Sequence, residues 1–474
     1  MVRVRFAPSP TGIMHLGNIR IALLNYLFAK KNNGVFIIRI EDTDLERNYD
    51  PGAEKILQDL HWLKLDYDEG PKKNSPYGPF FQSERLNIYA EELKKLQEGE
   101  FVYRCFCTKE ELEKKRKRQI SLKQPPRYDQ TCLKLSKIDI DQKLHGQVPY
   151  IWRVRIEHTQ KLLLDDMAHG IMTFDLKNFT DFPLTRTDGS FTFMFANCVD
   201  DILMEISHVI RGEDHLTNTV GQVVLYHAFG KKPPRFWHQP ILANIDGKKL
   251  SKRDFGFSLY DLRDAGFLPE AITNYLGIIG GSFEQEIMSI EELIAHFDTK
   301  HISPTGMIKY DVEKLRWVNH KWINKLDNKK LTAYALPYIE KTWPQAHTLS
   351  QSNLENLIEA IKTDIHSLDE LPDHVRFYFE EPTVSVQDLE KISDQKTVSV
   401  ILLLIKKNLN YLSNSDKFLE EIKTQAKENE INFRYIGSAL RLILTGHEKG
   451  IGLKLLLDTL KYEQCKKRLD KILG

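Results

Sequence analysis

The spacing of apolar residues changes character along the chain. Val2 to Phe6 is a short run that predicts a first buried strand, ended by a proline turn. Leu16 to Lys31 follows with Ile19, Leu23 and Leu27 at helical spacing, and its basic end suits the negative pole of a helix. Val35 to Ile40 predicts a second strand, closing a strand–helix–strand unit. Such units make parallel sheets, whose ligands bind at the carboxyl ends of the strands. The Ser9 turn and the Glu41-Asp42-Thr43-Asp44 segment both fall at such ends. Asp50-Pro51 predicts a helix start, with an N-cap followed by proline at the first helical position.

From about residue 75 to 190 the pattern becomes irregular, as in an inserted α+β segment. Thr108 and Glu111 predict a capping box before a very basic helix, Lys109 to Arg118, and Ile151 to Ile156 reads as a strand. The parallel-sheet pattern resumes near Phe191 to Ile210, with a helix through Gly221 to Phe229. Ser289-Ile290-Glu291-Glu292 opens another helical region. From about Lys330 nearly every segment has helical spacing, including Leu354 to Ile361, Val398 to Leu412 and Leu453 to Leu460. The expected architecture is a Rossmann-like α/β parallel sheet split by an insertion and followed by an all-α region. Its divisions are 1–74, 75–190, 191–240, 241–329 and 330–474.

Composition narrows the picture. At 474 residues several domains are expected, and 41% hydrophobic content can build sizeable cores. With 67 basic against 66 acidic residues, any contact with nucleic acid must come from local patches rather than bulk charge. No apolar run reaches membrane-span length. Arg3 and Arg5 interrupt the apolar run that a signal peptide would need. Five unevenly spread cysteines argue against a disulfide framework and point to a reducing cytoplasm. Cys198 and Cys465 read as buried apolar residues.

The chemistry sits in two distant segments. Ala7-Pro8-Ser9-Pro10-Thr11-Gly12-Ile13-Met14-His15-Leu16-Gly17-Asn18 puts a glycine turn and a histidine at the mouth of the strand–helix unit. Lys248-Lys249-Leu250-Ser251-Lys252-Arg253 sets lysines around a serine on a loop. A glycine turn lets backbone approach a nucleotide, and a helix starting there aims its positive pole at phosphate. His15 can donate to a phosphoryl oxygen. Lys249 and Lys252 can neutralise charge on a leaving pyrophosphate. The chain contains no G-x-x-x-x-G-K-[ST] phosphate loop. Together the two segments resemble the ATP-handling signatures of class I aminoacyl-tRNA synthetases.

The resemblance narrows with further strings. Arg5 to Gly12, Arg39-Ile40-Glu41-Asp42-Thr43-Asp44, Gln82-Ser83-Glu84-Arg85, Val209 to Asp214, Lys314 to Asn319 and Arg441 to Gly446 resemble bacterial-type glutamyl-tRNA synthetases across essentially the whole chain. An amino acid with a side-chain carboxylate needs two anion sites and one cation site, which arginines and a glutamate supply. The resemblance implies that Arg5 binds the substrate side chain. It places Ser9, Asn197 and Arg211 on the α-carboxylate and Glu41 on the amino group. Pro10, Thr11, Gly12, His15, Gly17, Asn18, Asp214, Lys249 and Lys252 are implied around ATP and Mg2+. Where the family often has tyrosine this chain has Phe193, which removes a hydroxyl donor beside the substrate.

The resemblance also implies that 75–190 binds the tRNA acceptor end, 241–329 contacts the stem, and 330–474 reads the anticodon, in a monomer. Cys105-Phe106-Cys107 and Tyr128-Asp129-Gln130-Thr131-Cys132 resemble the zinc site in the insertion of some of these enzymes, with Cys105, Cys107, Tyr128 and Cys132 as ligands. Lys134 stands where other relatives place a histidine. Zn2+ and three free cysteines in a small core both remain open readings. Around Lys362-Thr363-Asp364 the family often carries an arginine that reads the third anticodon base. Here stands Asp364, with no arginine before Arg376, which implies relaxed or altered tRNA choice between glutamate and glutamine tRNAs.

Rival readings fit less well. A shortened relative that glutamylates a tRNA base lacks the helical end. Glutaminyl-tRNA synthetases end in β-barrels, which the helical periodicity disfavours. A non-catalytic RNA-binding paralogue would not need His15, Lys249 and Lys252 intact.

Overall fold

The structure is a computed structural model that describes residues 1–10, 14–43, 48–303 and 306–474. Two compact units divide the chain. The first comprises Met1–Tyr260 and Thr273–Asp311, the second Asp261–Ile272 and Val312–Gly474.

In the first unit, strand β1 (Arg3–Phe6), helix α1 (Leu16–Lys31) and strand β2 (Val35–Ile38) form the expected parallel unit, with Arg3 opposite Val35 and Phe6 opposite Ile38. Ile19, Leu23 and Leu27 of α1 are fully buried. The second strand ends two residues earlier than its apolar run, and Ile40 instead bridges to Phe81. Helix α2 (Glu54–Trp62) begins later than the Asp50-Pro51 signal predicts. Ala53 takes a left-handed backbone, and the Asp50 carboxylate reaches past it to accept from the N–H groups of Glu54 and Lys55, at 3.1 and 3.0 Å. The N-cap is therefore Ala53 rather than Asp50 and Pro51 lies outside the helix, although the Asp50 carboxylate still serves the first-turn N–H groups.

The segment from residue 75 holds α3 (Leu86–Glu98), β3 (Val102–Cys105), α4 (Lys109–Ser121), α5 (Lys137–His145), β4 (Ile151–Val154), and the hairpin β5 (Lys161–Asp166) and β6 (Gly170–Asp175). Thr108 and Glu111 form a complete capping box on α4, a helix with no buried residue. Then come α6 (Phe193–Leu203), β7 (His208–Gly212), α7 (Leu216–Ala228), β8 (Arg235–Gln239) and β9 (Leu242–Ala243). The strands run β6-β5-β8-β7, with β7, β8 and β5 mutually parallel at their shared pairs. The β5–β6 hairpin thus widens the sheet at its β8 edge, although it lies in the irregular stretch of sequence. The Ser207 N–H donates to the Arg3 carbonyl at 2.9 Å and brings β7 alongside β1.

Helices α8 (Leu259–Asp264) and α9 (Pro269–Ile278) give residues to both units. Helix α10 (Ile290–His296), with its Ser289–Glu292 capping box, and β10 (Ile308–Lys309) complete the first unit. The second unit is helical from α11 (Val312–Lys325) and α12 (Asn328–Thr342) onward. It continues through α13 (Gln351–Ile361), α14 (Leu371–His374), α15 (Arg376–Phe379), α16 (Val386–Leu389), α17 (Gln395–Lys407), α18 (Ser415–Glu428), α19 (Phe433–Thr445) and α20 (Leu453–Leu473). Leu357, Ile405, Ile436, Leu440 and Leu456 are buried in its core. Asp327, Ser350, Asp394, Asn414 and Asn432 each cap a helix through a side-chain oxygen. Among the described residues no helix is long and apolar enough to cross a membrane.

Candidate active site

A cavity of about 460 Å³ opens at the carboxyl ends of β1 and β7, where parallel-sheet topology places ligands. Arg5, Ser9, His15, Gly17, Asn18, Glu41, Phe193, Asn197, Arg211, Asp214 and Lys249 all line it. Segments more than two hundred residues apart therefore share one wall. Pro10 and Lys252 are not among the lining residues, and Thr11, Gly12 and Asp44 lie outside the described residues. Lys252 is exposed.

One end of the cavity is built from buried charge. The Arg5 Nε donates to both oxygens of Asp201, at 3.1 and 3.2 Å, and no contact among the described residues occupies its terminal nitrogens. Arg39 is completely buried. It donates to Asp201 at 2.6 Å and to Glu41 at 3.1 Å, with Asp200 at 3.5 Å. Asp200 in turn accepts from Arg85 at 2.6 Å, Gln82 at 2.8 Å and Tyr89 at 2.9 Å. Burial opposes the charge on Asp201, but Arg5 and Arg39 hold its carboxyl below the usual range. Burial raises Glu41, against the pull of Arg39 and the Asn197 amide.

Asn197 donates to Glu41 at 2.6 Å and accepts from Gln222 at 2.8 Å, which leaves its second amide hydrogen for a ligand. Arg211 donates to Thr219 at 2.7 Å and Gln222 at 2.6 Å, while its Nε is buried without a partner. Burial, with Arg5 nearby, lowers Arg211 to about 10. The Phe193 ring lies 5.9 Å from the His215 ring. Burial and then Arg211 push His215 down to about 4, so its imidazole is neutral.

The other end is shallower. His15 is the N-cap of α1, its Nδ1 accepting from the Asn18 N–H at 3.3 Å. Burial, then Lys249, lowers its pKa. A neutral ring that accepts at Nδ1 carries its proton on Nε2, ready to donate. Gly17 makes this fold-back feasible, since a Cβ there would stand 3.0 Å from the imidazole. Lys249 rides on a turn that pairs with β9 and lies 3.4 Å from Asp214; both are exposed. Past the lysine loop, Phe257 stacks on His15 at 5.2 Å. The Leu16 N–H donates to the Phe257 carbonyl, and the Leu259 N–H to that of Met14.

Asp201, Asp200, Thr219, Gln222, His215 and Arg20 carry the site without having been singled out in the sequence. Arg20, 2% exposed, lines the cavity with an amide and a backbone carbonyl as its partners. The readable signal was the acidic doublet Asp200-Asp201 inside an otherwise apolar helix, a position that demands buried cations.

Comparison with known proteins places the chain in a family. The catalytic domain of class I tRNA synthetases (E and Q) matches residues 1–317, and an anticodon binding domain matches residues 330–473. The chain therefore belongs to the class I tRNA synthetases. A glutamate–tRNA ligase of a Sulfurihydrogenibium species is 38% identical over 100% of this chain and 99% of its own. One from Listeria innocua is 37% identical over 99% and 98%. A solved glutamate tRNA ligase from Elizabethkingia meningosepticum, in complex with its amino acid, superposes with TM-score 0.87 at 31% identity, covering 100% and 99%. Within the class, the chain is a member of the glutamate–tRNA ligase family.

Proposed function

We propose that this protein joins L-glutamate to tRNA in two steps within the 460 Å³ cavity. The α-carboxylate of glutamate attacks the α-phosphorus of Mg·ATP, the bond to the bridging oxygen breaks, and pyrophosphate leaves. A hydroxyl of the terminal tRNA ribose then attacks the carbonyl of glutamyl-adenylate, forming the ester and expelling AMP. The observation that carries this reading is the shared wall: anion-gripping arginines and the His15–Lys249 pair face one space.

Charge supports the substrate choice. Arg5, Arg20, Arg39, Arg85 and Arg211 outnumber Asp200, Asp201 and Glu41, five buried guanidiniums against three carboxylates, and the positive surplus suits an amino acid with net negative charge. Arg5 offers its free terminal nitrogens to the side-chain carboxylate. Ser9, Arg211 and the spare Asn197 hydrogen hold the α-carboxylate, and Glu41 takes the ammonium. His15 Nε2–H, Lys249 and Lys252 stabilise charge on the phosphates, which positions rather than bonds to the nucleotide. ATP–pyrophosphate exchange with and without tRNA, across amino acids, tests this. Exchange with glutamate alone is expected; equal exchange with glutamine or aspartate overturns it.

A relaxed tRNA choice is the second reading. Asp364 and Arg376 line a separate cavity of about 690 Å³ within the helical unit, with Arg441 and Lys449. With an aspartate in place of the expected arginine, the third anticodon base meets a different partner there. Charging purified glutamate and glutamine tRNAs side by side decides; esterification of the glutamate tRNA alone ends this reading.

The cysteine group fits zinc. The sulfurs of Cys105, Cys107 and Cys132 lie within 4.8 Å of one another, with Cys107 and Cys132 3.6 Å apart. Thiolates placed tetrahedrally about 2.3 Å from zinc stand roughly 3.8 Å apart. The Tyr128 hydroxyl lies 3.3 Å from Cys105 and 3.7 Å from Cys107, in place for the fourth ligand. Such a closed site would brace the inserted segment and stay outside the reaction. Protein purified without chelator is expected to carry about one equivalent of zinc; less than about a tenth of an equivalent, with unchanged activity, overturns the assignment.

A further inference from the structure

A buried polar chain runs from the inserted hairpin to the amino-acid end of the cavity. Asp166, at the end of β5, is 1% exposed and accepts from the N–H groups of Ala168, at 2.9 Å, and His169, at 3.1 Å. It also faces the His169 Nδ1 at 2.9 Å and the His238 Nδ1 at 2.6 Å. His238 is fully buried on β8, and its Nε2 lies 2.8 Å from the Thr219 hydroxyl. Thr219 accepts from the Arg211 Nη2 at 2.7 Å.

Proton counting orders this chain. Burial opposes the charge on Asp166, yet the bonds from His238 and His169 bring its carboxyl down to about 2, so it accepts only. The His238 Nδ1 must therefore carry hydrogen. Burial lowers the His238 pKa despite Asp166, so the ring is neutral and its Nε2 is bare. The bare nitrogen competes with the His215 carbonyl, 3.1 Å away, for the single Thr219 hydrogen. With the hydrogen on His238, the two Thr219 lone pairs are fixed in direction, and the Arg211 Nη2–H takes one of them. Asp166, His169, His238 and Thr219 are not among the residues that line the cavity.

We propose that Asp166 and His238 are positioning residues, which set the Thr219 hydroxyl so that Arg211 is held in the orientation that receives the amino-acid carboxylate. The inference deepens the reading of Arg211 as a substrate-carboxylate ligand and rests on it. Without His238 the Thr219 hydrogen would turn to the His215 carbonyl, the Thr219 lone pairs would turn with it, and the Arg211 fork would lose its aim.

Steady-state charging of glutamate tRNA by the full-length protein tests the proposal, with KM for glutamate, KM for ATP, kcat and melting temperature recorded for each variant. Thr219→Val and His238→Asn should each raise KM for glutamate about tenfold, with kcat and KM for ATP within about twofold of the parent. Asp166→Asn should shift the same constant in the same direction, and gives the readout should Thr219→Val fail to fold. Thr219→Ser should restore the parent KM. An unchanged KM for glutamate in these variants overturns the proposal. So does a uniform loss of all constants with a lowered melting temperature and no rescue by serine, which describes a merely structural role. Arg211→Ala separates the two levels. If it leaves KM for glutamate unaltered, the assignment of Arg211 itself is wrong; if it raises KM while the three upstream variants do not, only the relay is wrong.

Discussion

The two ends of the cavity are built on opposite principles. At the amino-acid end, Arg5, Arg39, Glu41, Asp200 and Asp201 are all under a tenth exposed and already bonded to one another. At the other end, Lys249 and Asp214 are exposed and separated by 3.4 Å, and Lys252 is exposed and not among the residues that line the cavity. On the proposed reading, glutamate would meet charges already fixed in place, and the polyphosphate of ATP would meet charges still free to gather round it. The first arrangement ties recognition to folding stability; the second leaves them separate.

Breaking the comparison starts with Asp201→Asn. It removes the counterion shared by Arg5 and Arg39 and should cost about 3–5 kcal/mol of unfolding free energy together with glutamate affinity. Urea denaturation checks this; a loss near zero would mean that the ion cluster is not structural. Lys252→Ala should do the reverse, lowering the rate of adenylate formation roughly 10²–10³-fold with unaltered melting temperature and glutamate affinity. Equal losses of rate and affinity would erase the distinction between the ends.

Phe193→Tyr sharpens the comparison. A hydroxyl added beside the carboxylate should gain about 0.5–1.5 kcal/mol, read as a several-fold lower KM for glutamate. The smallest effect concerns acid. His15 and His215 are both held below the ordinary imidazole value by burial, the latter to about 4. The unfolded chain therefore binds more protons than the folded one as pH falls from about 6.5 toward about 4, and stability declines through that window. Melting temperature measured from pH 7 to pH 5 should drop, with a shallower slope in His215→Gln; a flat profile in the parent would contradict both assignments.

Local grammar was readable from the residues and distant ion pairing was not. Helix α1 spans the predicted Leu16–Lys31, the box predicted at Thr108 caps its helix, and Ser289 opens the helix expected there, because each depends on groups within one turn. The start of α2 was misplaced because a left-handed Ala53 let Asp50 cap from further back. Helix α20 contains a break at Lys461, where φ is 62°, directly after the predicted Leu453–Leu460 run, and resumes to Leu473. The motif strings converge on one cavity, yet the partners that orient them stayed hidden. Asp201 meets Arg5 across 196 positions, and nothing in a one-dimensional pattern marks which buried carboxylate will find which guanidinium.

The lysine loop is moored on both sides. Leu250 is pinned by its N–H to the Leu242 carbonyl at 3.0 Å, and the chain is fastened again at Phe257 and Leu259 beside His15. Two residues of fully extended backbone span about 7 Å, so the Lys252 Cα can swing no further than that from the Leu250 anchor. The loop therefore works as a short clasp rather than a wide flap, and a longer substrate tail could be followed only by the lysine side chain itself.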